Sequence, residues 1–420
     1  MIRPVHSEKI VLVGSYPPRR CGIATFSADV VRSIEGQYAD AECLVVPVTD
    51  VPEGYAYPAE ARFEIREQDP ASYREAAKFI NGSGAKVVSL QHEFGIYGGP
   101  AGSHILTLLR ALRVPVVSHL HTIQDQPAPA FRRVLEEIVR LSARTVVMSQ
   151  RGRELIETVY GAAPDRIDVI PHGIPDMPFV DPHFYKEPLG LAGRRVILTS
   201  GLLSPNKGIE YMIEALPQIV RKFPAAIYIV LGATHPVQRR LEGEAYRLML
   251  ERLVDRLGLT RHVLFCNRFV SDDELKKFLG AADVYVTPYL DPTQITSGGL
   301  SYAFGCGRAV VSTPYWHAGE LLADGRGVLV PFRDSAALAR EINALLDDDV
   351  RRREICHHAY RLGREMIWRN VARRFMTSYA EARHRSLARP ARRSQKAQRL
   401  PPADPSCWLE PETDGNRTVA

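Results

Sequence analysis

Thr199-Ser-Gly-Leu-Leu-Ser-Pro-Asn-Lys-Gly-Ile209 follows the apolar run Val196-Ile-Leu198 and leads into a helical pattern. Asp291-Pro-Thr-Gln-Ile-Thr-Ser-Gly-Gly-Leu-Ser-Tyr302 repeats the arrangement after Val284-Tyr-Val286. A buried strand, a loop of Gly, Ser and Thr, and a helix start gather main-chain N–H groups and a partial positive charge in one place. That combination receives phosphate. Lys207 stands at the mouth of the first loop, where an ammonium faces the same anion. Two such loops in one half of the chain point to a ligand of nucleotide type held at several points.

Around these loops the chain alternates short apolar strands with amphipathic helical stretches. In the first half, strands are expected over 9–13, 41–46, 86–90, 115–120, 144–148 and 167–170, with helices over 25–33, 70–81, 102–112 and 129–142. The stretch 171–193 holds five prolines and no long period, which marks a linker. The alternation then resumes: strands over 196–198, 226–231, 263–265, 284–286, 309–311 and 327–330, with helices over 208–222, 239–257, 272–279, 299–305, 318–323 and 335–346. Strands separated by helices of ten residues or so build parallel, doubly wound sheets. The expected fold is therefore α/β, with two Rossmann-like domains over 1–180 and 181–387. Each has its crevice at the carboxyl ends of its strands, and if the two crevices face each other a ligand binds between them.

Size and composition fit that reading. The 420 residues, 45% hydrophobic and 24% charged, suffice for two globular cores. No apolar run reaches membrane-spanning length, and the first residues do not read as a secretory signal. The six cysteines show no paired spacing, so they read as reduced thiols of a cytoplasmic protein rather than a disulfide frame or zinc site. From 388 to 420 the chain turns basic and poor in apolar residues, which reads as a disordered tail. Its arginines are expected either to be solvated or to give peripheral contact with an anionic membrane surface. No nucleic-acid reader motif accompanies the net charge of +6.

The motifs and their order resemble the family 4 glycosyltransferases (glycosyl transferases group 1). Gly201 through Lys207-Gly208 is similar to that family's glycine–lysine loop, and Val230-Leu-Gly-Ala233 to its nucleotide-side strand end. Phe269-Val-Ser-Asp-Asp-Glu-Leu275 resembles a helix start of the family. Gln294 to Tyr302 occupies its Glu-x7-Glu block, and Gly307-Arg-Ala-Val-Val-Ser-Thr313 its next strand. In the first half, Pro17-Pro-Arg-Arg-Cys-Gly-Ile23 resembles the glycine loop and His119-Leu-His121 the strand-end histidine. The resemblance spans residues of about 10–385 and implies a GT-B fold and a retaining, nucleotide-sugar-dependent hexosyltransferase (mannose or glucose type) of polysaccharide biosynthesis. The second domain would bind the donor, and the first would bind a glycan, lipid-linked or small-molecule acceptor through its hydroxyl.

The resemblance implies catalytic roles for His121, Lys207 and Gln294. It implies donor contacts from Gly22, Gly201, Lys207, Gln294, Thr296, Ser297, Gly298, Gly299 and Tyr302; Arg268 joins them as a candidate donor contact, and Arg20, Glu93 and His172 are candidate acceptor contacts, with loop capping the alternative for Glu93 and turn chemistry for His172. No cofactor and no metal are expected; the nucleotide diphosphate sugar is a co-substrate. His119 is expected on the opposite face of its strand, in the core.

Two departures matter. Gln294 and Tyr302 stand where the family has glutamates, and Leu202 stands where it has an arginine. Glutamine accepts through a neutral oxygen, so it forms weaker bonds to sugar hydroxyls than a carboxylate. Arg268, Arg19 and Arg20 are candidate replacements for the missing cation. The rival readings are a nucleotide-sugar epimerase of the same fold and a non-catalytic sugar-nucleotide or glycan binding protein.

Overall fold

The computed structural model describes residues 8–388. The basic tail expected from 388 onward lies outside them, save its first residue. Two parallel sheets organise the chain. The first has strands β1 (Glu8–Gly14), β2 (Ala41–Thr49), β3 (Ile65–Arg66), β4 (Val87–His92), β5 (Val116–Leu120), β6 (Arg144–Val147) and β7 (Ile167–Val169), in the order β3-β2-β1-β4-β5-β6-β7. The second has β8 (Arg195–Ser200), β9 (Ala226–Leu231), β10 (Val263–Cys266), β11 (Val284–Thr287), β12 (Ala309–Ser312) and β13 (Val328–Leu329), in the order β10-β9-β8-β11-β12-β13.

Helices cover both faces of each sheet, so the central strands are buried on both sides and read as unbroken apolar runs. Ile10, Val11, Leu12 and Val13 are all at most 2% exposed. In each sheet the winding reverses between two adjacent strands, β1 and β4 in the first and β8 and β11 in the second. A crevice opens above such a reversal. It follows that the loops after β8 and β11, which are the two stretches quoted first, stand side by side.

Several elements depart from expectation for identifiable reasons. The helix expected over 239–257 is two, Pro236–Glu242 and Ala245–Arg256, because Gly243 takes φ of +63° and turns the chain. The helix expected over 102–112 is shortened to Ile105–Ala111, after a single turn at Pro100–Gly102. Helices Gln150–Thr158, Asp349–Gly363 and Trp368–Ala388 are additional. The last returns to the first domain: Val371, Ala372, Phe375, Tyr379 and Ala382 share a buried cluster with Ile10, Leu12 and Phe26. Polar contacts fix its register, Tyr379 Oη donating to Ser89 Oγ at 2.9 Å and Ser378 Oγ to Asp168 Oδ2 at 2.7 Å.

The linker is anchored as well. Lys186 Nζ, in the short helix His183–Lys186, donates to both carboxylate oxygens of Asp283 at 2.8 and 2.6 Å and to Arg194 O at 2.9 Å. Both side chains are less than a tenth exposed, so the pair and two backbone bonds, to Arg194 O and from Val196 N, stand in for their solvation.

Candidate functional site

Strand ends from both sheets converge where the domains meet. In the second domain, Leu290 N donates to Asn206 O at 3.0 Å, tying the loop after β11 to the loop after β8. Gly208 has φ of +59°, and a Cβ there would lie 2.1 Å from Pro288 O, so only glycine permits this approach. The join places Lys207 Nζ 3.8 Å from the centre of the Tyr289 ring. Tyr289 stacks on Tyr315 with centroids 5.2 Å apart. Its hydroxyl lies 3.7 Å from where a side chain on Gly299 would begin. One aromatic ring therefore joins the ammonium of the first loop to the helix start of the second. Burial lowers the Lys207 pKa to about 8, so an arriving anion would restore the proton to its full hold.

The helix Gly298–Gly305 begins with Ser297, whose Oγ accepts from Leu300 N at 3.3 Å. The Ser297 amide is not open to a ligand, because it donates to His317 Nδ1 at 3.0 Å. That leaves the amides of Gly298 and Gly299 as the helix-start donors. Thr296 and Gln294 belong to the same loop. Gln294 Nε2 donates to Thr296 O at 2.9 Å, so its amide nitrogen braces the loop and Oε1 is the atom left for the expected acceptor role. Gly201 is exposed at the end of β8, beside Gly232 at the end of β9, where a Cβ would lie 2.0 Å from Gly201 O.

The first domain contributes imidazoles. His172 Nδ1 lies 2.7 Å from Gly173 O and therefore carries the hydrogen, leaving Nε2 bare. That Nε2 sits 3.0 Å from where a side chain on Gly298 would begin. His121 Nε2 lies 3.0 Å from Gln91 Oε1, while Gln91 Nε2 donates to Ser89 Oγ at 3.2 Å. The His121 hydrogen is thus on Nε2. His119, His121 and His172 each pack on Phe26 at 5.0 Å between ring centroids. The expectation that His119 turns to the other face is corrected here: positions two apart share a face. All three are neutral, because burial holds His172 at about 4, His119 at about 3 and His121 well below its ordinary value.

Gly22 opens the helix Gly22–Glu35, with open space where a Cβ would stand, and Arg20 is exposed on the loop before it. Arg19 is already engaged by Val48 O at 3.1 Å and Asp50 at 3.5 Å.

Three expected contacts are differently employed. Tyr302 Oη donates across the domain boundary to Asp29 Oδ2 at 3.1 Å, so this hydroxyl faces the first domain rather than standing free for a ribose. Glu93 uses both carboxylate oxygens locally, one accepting from Phe94 N at 3.0 Å and the other from Thr122 Oγ1. Arg268 is exposed and forked on Glu274. A fork held by a carboxylate gives no free cation for a diphosphate. Nothing in the sequence singles out Asp29, Tyr289 or His317. Asp29 reads as an ordinary helix charge, and His317 carries no signal beyond its place after a strand.

Comparison with known proteins agrees with this architecture. The profile of Glycosyl transferases group 1 matches residues 194–348, and that of Glycosyltransferase Family 4 matches residues 32–176. A D-inositol 3-phosphate glycosyltransferase of Xylanimonas cellulosilytica is 31% identical over 304 residues, 66% of this chain and 68% of that protein. A GDP-mannose-dependent alpha-(1-6)-phosphatidylinositol monomannoside mannosyltransferase of Mycolicibacterium smegmatis is 27% identical over 248 residues, 57% of this chain and 62% of that one. The chain thus spans roughly two thirds of the length of these relatives. The crystal structure of Anabaena HepE in complex with UDP and glucose superposes with a TM-score of 0.69 at 18% identity, covering 88% of this chain and 99% of that one. Sucrose-phosphate synthase from Thermosynechococcus elongatus superposes with a TM-score of 0.71 at 18% identity, covering 89% and 98%. On matched profiles, relatives and architecture together, this chain belongs to family 4 of the glycosyltransferases, with the two-domain GT-B fold.

Proposed function

We propose that the protein transfers a hexose, of mannose or glucose type, from a nucleotide diphosphate sugar to a hydroxyl acceptor with retention of configuration. The observation that carries this reading is the convergence of Lys207 and the start of Gly298–Gly305 on Tyr289. An ammonium and two helix-start amides oppose the negative charge that grows on a departing diphosphate. Gln294 Oε1 and the imidazole of His121 are assigned to the sugar. In the transfer, the bond from the anomeric carbon to the diphosphate oxygen breaks. The acceptor oxygen bonds to the same face, and its proton leaves with the phosphate. Neutral histidines suit this chemistry, which asks for positioning and charge stabilisation rather than an ionised acid–base pair.

The first domain is assigned to the acceptor. Relatives named for inositol phosphate and phosphatidylinositol mannoside make a polyol or glycolipid hydroxyl the first class to test, with a GDP-linked hexose, as one relative's name has it, or a UDP-linked one, as in the HepE complex, as donor. A second reading, a sugar-nucleotide binding protein without turnover, draws support from the neutral Gln294 and the engaged Tyr302 hydroxyl. Incubation with labelled GDP-mannose and UDP-glucose, with and without inositol phosphates, separates the two. Labelled glycoside, or slow release of free sugar without acceptor, supports transfer. Tight binding of donor with neither product overturns it.

A further inference from the structure

The loop expected to hold the donor is built partly by the opposite domain. Ile295 is 6% exposed and lies within the apolar cluster of the first domain, not of its own. Its carbonyl accepts from Ser149 Oγ at 3.4 Å, and Thr296 Oγ1 donates to Met148 Sδ at 3.5 Å. Behind the loop, Trp316 N donates to Pro292 O at 3.1 Å and His317 N to Gln294 O at 3.2 Å, so the helix Trp316–Leu321 is fastened to it. From that helix Glu320 reaches across the boundary. Its two carboxylate oxygens accept from Gln150 N at 2.9 Å and Arg151 N at 3.2 Å.

Those amides belong to the first turn of the helix Gln150–Thr158. The helix's own cap, Ser149, accepts from Gly152 N and leaves them unpaired. A carboxylate is the group such amides bind best, through charge-assisted bonds aligned with the helix dipole. Arg151 completes the contact with its guanidinium 5.0 Å over the Trp316 ring.

We propose that Ile295 and Glu320 are positioning residues that make the geometry of the loop carrying Gln294, Thr296 and Ser297 conditional on contact between the domains. Separation of the domains withdraws Ile295 from its apolar seat and leaves a carboxylate and two amides without partners. The loop is then released together with the helix behind it. Closure of the cleft and completion of the donor site are in this sense one event. The inference rests on the proposed function only in naming the donor as the ligand of that loop.

The test uses the full chain and the variants Glu320→Ala, Glu320→Gln and Ile295→Ala. Small-angle scattering reads the separation of the domains, and calorimetry reads the affinity for GDP and UDP. Glu320→Ala is expected to enlarge the radius of gyration and weaken nucleoside diphosphate binding by about tenfold or more, since a closed state that is less populated lowers the apparent affinity in proportion. Glu320→Gln keeps one oxygen acceptor and falls between, which a general loss of folding would not produce. Circular dichroism should stay that of the parent. An unchanged radius of gyration in both Glu320 variants overturns the latch. A changed radius with unchanged affinity overturns its coupling to the donor loop. Failure of the parent protein to bind either nucleotide would instead count against the proposed function, with the latch still decided by scattering.

Discussion

Acid should destabilise this protein above the pH at which ordinary carboxylates protonate, because it buries neutral imidazoles. His92, His119 and His317 are held at about 3 and His172 at about 4, in each case chiefly by desolvation. All four are less than a tenth exposed, and neither ring nitrogen of His92 or His119 has a hydrogen-bond partner. In the unfolded chain each would titrate near its ordinary value of about 6.5. The folded pKa is depressed, so below pH 6.5 the unfolded state takes up protons that the folded state refuses. Stability is then lost as the pH falls. At pH 5 each group costs about 2 kcal/mol, from about 1.4 kcal/mol per pH unit, and the four together about 8 kcal/mol.

Asp29 acts with the opposite sign. Burial and the nearby Asp272 raise its pKa to about 6, so the folded state takes up that proton first and regains about 1 kcal/mol at pH 5. A net loss of about 7 kcal/mol is comparable with the whole stability of an ordinary domain. Urea unfolding at pH 7 and pH 5, followed by tryptophan fluorescence and circular dichroism, measures it. His119→Phe serves as an internal control, since no hydrogen bond is lost. It should match the parent at pH 7 and exceed it by about 2 kcal/mol at pH 5. Equal stability of the parent at the two pH values would refute the reasoning, because it would mean that these rings reach their protons without unfolding.

Other consequences are as specific. Lys186→Ala leaves the buried Asp283 carboxylate without a countercharge, held only by the Val196 N–H, and should cost about 3 kcal/mol in unfolding free energy, far more than a surface lysine. Transfer measured as kcat/KM for the donor should fall as the pH rises through about 8, where free Lys207 loses its proton; a flat profile from pH 7 to 9 would remove the ammonium from the mechanism. Gln294→Glu should raise donor affinity if the glutamine is a weakened acceptor. It should abolish turnover if the amide donor to Thr296 O is what shapes the loop, and an assay of both constants separates the outcomes.

Much of this is legible along the chain because parallel strands buried on both faces write themselves as apolar runs, and the loops after β8 and β11 carry the Gly, Ser and Thr of a proposed phosphate site. That Lys207 and Gly299 come to the same tyrosine, Tyr289, follows from the reversal of strand order, which sequence alternation alone does not reveal. The helix Gln150–Thr158 leaves little sequence signal because it is short and mostly polar, and of its residues only Gly152, Leu155 and Ile156 are buried. Contacts between distant residues left no local trace. Nothing near Asp29 announces Tyr302, and nothing near Ser297 announces His317. Arg268 reads as available because it stands in the loop after β10 and its partner Glu274 in the first turn of the helix Asp272–Ala281, and spacing does not show which way a guanidinium folds.

The central claim is that a diphosphate sits between the Lys207 ammonium and the helix start at Gly298. Calorimetric titration of the parent and Lys207→Ala with GDP or UDP and with the matching nucleoside tests it most directly. In the parent, the diphosphate should bind far more tightly than the nucleoside, and Lys207→Ala should erase most of that advantage, about 2 kcal/mol or more, while leaving nucleoside affinity unchanged. An advantage of the same size in both proteins would show that the lysine and the phosphates do not meet, and would contradict the account.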